Sequence, residues 1–229
     1  MLGEYDIYKD IRARTDGEIY MGVVGPVRTG KSTFIKRFMD LLVLPNIENV
    51  HSKERTLDEL PQSAAGKTIM TTEPKFIPQE AARVTLSEDV EFDVRMIDCV
   101  GYMVEGATGH LENDEERKVK TPWFNYDIPF TQAAEIGTKK VINDHSTIGI
   151  VVTADGSFGE IPRENYIEAE ERTINELKKL SKPYVVILNS LRPYSDDTIL
   201  TATELEDKYN VPVLPVNCDQ LKKEDVIKI

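Results

Sequence analysis

The chain has 229 residues, with 28 Lys and Arg set against 40 Asp and Glu, for a formal net charge of −12. Its 40% hydrophobic and 30% charged content suits a folded globular protein, and 13 Gly with 12 Pro exclude a collagen-like or low-complexity chain. The acidic excess disfavours a broad face for nucleic acid or anionic lipid, so no nucleic-acid partner is expected, while one local basic pocket for a phosphate ligand remains compatible with it.

In chain order, residues 19–24 form a short apolar run that stops at Gly25 and read as a buried strand. Phe34, Ile35, Phe38, Leu41 and Leu42 fall at helical spacing over 31–42, and Pro45 ends that helix. Residues 46–67 are polar and read as a long loop with room for one short helix. Residues 75–86 and 90–97 alternate as strands, and Ser87-Glu88-Asp89 between them predicts a hairpin. Residues 101–129 show no period and are expected to be irregular. Trp123, Phe124, Tyr126 and Phe130 near their end read as lid packing. Then follow a helix over 133–143, a strand over 147–153, an amphipathic helix over 166–180, a strand over 183–188, a helix over 197–209, a strand over 211–216 and a helix from Leu221. Apolar strands alternating with helices predict one α/β domain over 1–229, with a mostly parallel sheet, one antiparallel hairpin strand and helices on both faces. The final helix stops abruptly, which predicts that the natural chain continues. No run of 18 apolar residues is present, the first twenty residues carry no signal-peptide core, and Cys99 and Cys218 lack metal-ligand spacing; a reducing cytoplasm is the expected compartment.

The chemistry concentrates at Gly25-Pro-Val-Arg-Thr-Gly-Lys-Ser32, a match to G-x-x-x-x-G-K-[ST] placed between a strand and a helix. Glycines let successive N–H groups converge on phosphate oxygens, Lys31 brings a point charge, and Ser32 offers a hydroxyl to Mg²⁺. The helix that follows turns its positive end to the same anion. Candidate nucleotide contacts here are Gly25, Arg28, Thr29, Gly30, Lys31, Ser32 and Thr33. Residues 94–101 form a strand ending in Asp98-Cys-Val-Gly101; the carboxylate can bind Mg²⁺ and Gly101 lets the backbone approach a γ-phosphate. Between these motifs, Thr71 or Thr72 is a candidate Mg²⁺ ligand and γ-phosphate sensor, and the sequence does not separate the two. The candidate metal ligands are therefore Ser32, Asp98 and Thr72, and the candidate catalytic set is Lys31, Thr71, Thr72 and Asp98. Where GTP-binding proteins read guanine with Asn-Lys-x-Asp, this chain has Asn189-Ser-Leu-Arg192. A cation at Arg192 cannot accept the guanine N–H hydrogens, which favours ATP; Asn189 either touches the base or caps the strand end. Tyr102 stands where Ras-type GTPases carry a water-orienting Gln.

The blocks 20–36, 60–76 and 97–102, extended by 134–138, 145–149 and 166–172, resemble the stage IV sporulation protein A family of endospore-forming bacteria. The resemblance runs over essentially the whole chain and concerns the N-terminal, nucleotide-hydrolysing part of that family; its middle and C-terminal domains have no counterpart here. It implies a P-loop NTPase of the translation-factor GTPase type turned to ATP with Mg²⁺, whose hydrolysis drives self-assembly into a static polymer, the basement layer of the spore coat. It implies Lys31 as the phosphate-loop lysine, Asp98 as the second-motif acid, and Thr71 and Thr72 as sensor threonines. It also implies a mother-cell location on the outer forespore membrane, with a small amphipathic membrane peptide and other coat proteins met through the absent C-terminal region. The competing readings are a GTP-dependent switch and a structural coat protein that nucleotide merely stabilises.

Overall fold

The structure, a computed structural model, describes residues 17–61, 72–87, 90–112, 115–227 and 229. A six-stranded sheet forms its centre. The strands are β1 (Glu18–Val24), β2 (Lys75–Ser87), β3 (Val90–Asp98), β8 (Ile148–Ala154), β9 (Tyr184–Asn189) and β10 (Val213–Val216). Their order is β10-β9-β8-β1-β3-β2. All neighbours run parallel except β2, which returns antiparallel along β3 with its register shifted between Ile77 and Ala82. The expected hairpin is therefore present; residues 88 and 89 of its turn lie outside the described residues.

The apolar runs follow from burial on both faces. In β1, Val23 enters one core and Val24 the other; in β8, Ile150 and Val152 face one side and Val151 the opposite one. Side chains alternate along a strand, so a strand covered on both sides must be apolar at every position. One face is covered by α1 (Lys31–Phe38), which contributes Phe34, Ile35 and Phe38, and by Val226 of the short α6 (Lys223–Ile227). The other packs against α4 (Ile167–Lys179) through Ile174 and Leu177 and α5 (Asp196–Tyr209) through Ala202 and Leu205, with Val141 and Ile142 from the turn after α3 (Phe130–Lys140). Both α1 and α3 run on into π-helical turns, Met39–Val43 and Val141–His145. The short helix foreseen within 46–67 is α2 (Val50–Glu59), capped by the Asn49 side chain accepting from the Ser52 N–H.

One expectation is corrected. Residues 101–129 are not irregular throughout: β4 (Leu111–Glu112) pairs with β5 (Glu115–Glu116), and β6 (Lys118–Thr121) pairs with β7 (Phe124–Pro129). These strands are short and mostly exposed, so they lack the apolar run or sustained alternation that marks a strand. Trp123, in the β6–β7 turn, packs toward α3, with the Lys140 ammonium 5.7 Å from its ring centroid.

Candidate active site

The phosphate loop leaves the C-terminal end of β1 at the middle of the sheet, flanked by β3 and β8, where open α/β sheets place their ligands. Gly30 begins α1 at φ 95°, and a Cβ there would sit 2.4 Å from Asn189 Nδ2, so only glycine closes this loop. Arg28 also takes a left-handed φ of 62°, and its guanidinium donates to the Thr108 carbonyl. Thr29 is fully buried, its hydroxyl donating to the Pro26 carbonyl at 3.0 Å. Thr33 is half-buried in the first turn of α1.

Three polar side chains meet beneath the loop. Lys31 is 5% exposed, and its ammonium donates to the Pro26 carbonyl at 2.5 Å. The Ser32 hydroxyl donates to Asp98 Oδ2 at 2.9 Å, joining α1 to the end of β3. Asp98 Oδ1 is buried without a hydrogen-bond partner. Burial pulls Lys31 below the ordinary lysine value, while Cys99 and Asp98 act in the opposite sense. Burial also pushes the Asp98 carboxyl above its usual range, against the Ser32 hydrogen bond and the Lys31 charge. Cys99, the next residue, has its thiol pushed up to about 11 by burial. An orphaned carboxylate oxygen beside a serine hydroxyl is a hard, all-oxygen donor set, which fits Mg²⁺ completed by substrate phosphates and water.

Gly101 seals one side of this cluster. At φ 97° it approaches so closely that a Cβ would lie 2.2 Å from the Gly25 carbonyl oxygen and 2.7 Å from Lys31 Nζ. Tyr102 then pairs with the phosphate loop: its N–H donates to the Gly25 carbonyl at 3.2 Å, and its carbonyl accepts from the Val27 N–H at 2.9 Å. The Tyr102 ring turns away, 2% exposed, with the Arg172 guanidinium 4.2 Å from its centroid and its hydroxyl donating to Glu176. Desolvation, then the Glu176 contact, pushes that phenol far above its usual value. Tyr102 thus anchors backbone rather than presenting a polar tip to the loop.

Asn189 acts as a strut. Its amide nitrogen donates to the Thr29 carbonyl at 2.9 Å, and its amide oxygen accepts from the Cys218 N–H at 3.0 Å. Beyond it, the buried Ser190 hydroxyl accepts from the Arg192 N–H at 2.9 Å, and Arg192 itself is exposed. The structure therefore brings Lys31, Ser32, Asp98 and Gly101 together, with Asn189 bracing the loop from the far side. Thr72 is buried before β2 with its carbonyl against α3, 2.6 Å from where a Gly137 Cβ would sit. Thr71 lies outside the described residues. Sequence reasoning missed Thr138, whose hydroxyl accepts from the Gly101 N–H at 3.1 Å. The signals available were its place in the 134–138 block and Gly137 beside it, a helix-interior glycine that marks a close backbone approach.

The family model for the stage IV sporulation protein A ATPase domain matches residues 2–229. The chain belongs to this family. Stage IV sporulation protein A of Bacillus anthracis is 54% identical over 228 residues, covering 100% of this chain and 46% of the relative. The Clostridioides difficile protein is 57% identical over 224 residues, covering 98% of this chain and 46% of the relative. The chain thus spans about half the length of these sporulation proteins. Among solved structures, a variant of Era from Aquifex aeolicus, bound to GDP.AlF4-, aligns with a TM-score of 0.52 at 14% identity, over 93% of this chain and 55% of that one. A mutation variant of SsGBP aligns with a TM-score of 0.50 at 12% identity, over 99% of this chain and 60% of that one. The chain accordingly has the P-loop GTPase fold: the parallel sheet, the antiparallel β2 and the helices on both faces are as the sequence led us to expect. Among the described residues no helix is long and apolar enough to cross a membrane.

Proposed function

We infer that this domain binds ATP with Mg²⁺ at the 25–32 loop and hydrolyses it, and that hydrolysis drives self-assembly of the longer protein into a static polymer, the basement layer of the spore coat. The observation that carries the ATPase reading is the buried Lys31, Ser32 and Asp98 cluster with its unpartnered carboxylate oxygen. Lys31 has three donors; one meets Pro26, which leaves two for the β- and γ-phosphates. Ser32 and Asp98 would hold Mg²⁺, with Thr71 or Thr72 as a further ligand. When bound, that ion supplies charge neutralisation across the phosphates. In a site this dry, a fixed ammonium and fixed N–H groups stabilise the charge developing on the transferred phosphoryl group far better than water does.

ATP is favoured over GTP because the residue that would accept the guanine hydrogens is Arg192, and Ser190 stands where a lysine would flank the base. On this reading the longer protein works in the mother-cell cytoplasm at the outer forespore membrane. There it meets copies of itself, a small amphipathic membrane peptide and other coat proteins, the last two through regions of the relatives that this chain does not span. Lys31→Ala tests the central claim. ATP turnover should fall by about two orders of magnitude or more; unchanged turnover refutes the assignment. ATP should also displace GTP in competition, and Arg192→Asp should narrow the difference.

A further inference from the structure

We propose that Thr138 is a positioning residue of the phosphate site, fixing the Gly101 amide from behind and tying α3 to the identity of the bound nucleotide. The inference rests on the ATPase reading above.

The hydroxyl of Thr138 has a defined polarity. Its hydrogen is committed to the Ala134 carbonyl at 2.8 Å, so a lone pair faces the Gly101 N–H at 3.1 Å. The residue is fully buried, so water does not compete for either bond. Thr138 therefore fixes the segment between Asp98 and Tyr102 at the Gly101 amide. The position of Gly101 relative to Lys31 is set from both sides: by the Gly25 carbonyl in front and by Thr138 behind.

The rest of α3 reinforces this. Gly137, the preceding residue, presses on the Thr72 carbonyl, so two adjacent positions hold the D-x-x-G segment and the threonine segment. Glu135, just under a turn earlier, pairs with Arg172, whose guanidinium stacks on Tyr102. Helix α3 is thus a common backing for both segments that face a terminal phosphate. A shift of Gly101 on phosphate binding would therefore bear directly on Thr138, the acceptor its buried N–H holds here.

The test is a split of kinetic constants. Thr138→Val keeps the shape and removes the acceptor. It should lower kcat about tenfold or more while the Kd for ADP and the KM for ATP stay within about threefold, since the lost contact orients a group and does not bind ground-state nucleotide. Thr138→Ser restores the hydroxyl and should return kcat to within about threefold of the original. Equal kcat in the valine variant, or equal losses in serine and valine variants, overturns the proposal. A second measurement needs no variant: amide hydrogen exchange of 130–140 in the unaltered chain should differ between Mg²⁺ with ADP and Mg²⁺ with a non-hydrolysable ATP analogue. Identical exchange in the two complexes also overturns it. Failure of the ATPase reading would look different, as an unaltered chain that neither binds nor turns over ATP.

Discussion

Glu170 gives the sharpest test of how this fold is held. It lies in α4, fully buried, and all its hydrogen bonds are internal. The Arg163 guanidinium grips it with both terminal nitrogens, at 2.8 and 3.0 Å. The Thr153 hydroxyl donates at 2.5 Å and the Tyr209 hydroxyl at 2.7 Å. One carboxylate therefore joins the end of β8, the turn before α4 and the end of α5. Glu170→Ala would leave a guanidinium only 21% exposed and two buried hydroxyls without their acceptor. Breaking a buried pair from one side costs about 3–5 kcal/mol, because the remaining charge is stranded. That is a large share of a total stability of about 5–15 kcal/mol. For a chain of this size each kcal/mol moves the midpoint by about 2–4 °C, so about 4 kcal/mol predicts a fall of roughly 8–16 °C. Thermal unfolding followed by circular dichroism would measure it, with urea unfolding as the check on cooperativity. Glu170→Gln, which keeps an acceptor, should fall in between. A loss below about 1 kcal/mol in the alanine variant would place the pair among ordinary surface ion pairs and refute the reasoning.

Other outcomes follow from the site. Cys99 and Cys218 are both buried with raised thiol pKa values, to about 11 for Cys99, so neither should react with an aromatic disulfide reagent at neutral pH until the protein unfolds, when both should; rapid labelling of the folded chain would contradict this. Glu135 sits below the ordinary glutamate value of 4.5, chiefly through the Lys139 hydrogen bond and also through Arg172. Its contribution is therefore present above that value and lost as pH falls through the lowered one, so Glu135→Gln should flatten part of the acid limb of a stability-against-pH curve, and an unchanged limb would count against the pairing. Replacing Thr71 and Thr72 together by Ala should spare nucleotide binding and abolish turnover, read by equilibrium binding alongside phosphate release; unaltered turnover would remove their assigned role.

Local signals carried much of this architecture. The Val23-Val24 pair ahead of Gly25, and Phe34, Ile35 and Phe38 after Lys31, announce a strand, a phosphate loop and a helix because their spacing is set within a few residues. Asp98 was legible for the same reason, as an acid at a strand end that opens a four-residue motif closed by Gly101. What escaped depends on contacts made across the fold. Gly101 and Thr138 are 37 residues apart and Tyr102 and Glu176 are 74 apart; Thr138 lies in the 134–138 block but outside any chemical motif, and Glu176 lies in no motif. The β6–β7 hairpin escaped because its inward residues, such as Thr121 and Ile128, are too few to set a period. The π-helical turns after α1 and α3 carry the same apolar residues as an ordinary helix end, so periodicity alone does not show them.

The outer strand of the sheet bears on how copies of such a domain can meet. At 13 residues β2 is long enough to recruit another chain through its backbone, the usual route to uncontrolled aggregation. It is disarmed along its middle. Pro78 offers no N–H, the Gln79 N–H is taken by the Glu59 carboxylate of α2, and Arg55 pairs with Glu80 across the same edge. At the opposite margin β10 has only four residues, one of them Pro215. Among the described residues neither margin therefore offers a seventh strand a continuous ladder, and any contact between copies of this domain would rest on side chains rather than on backbone pairing.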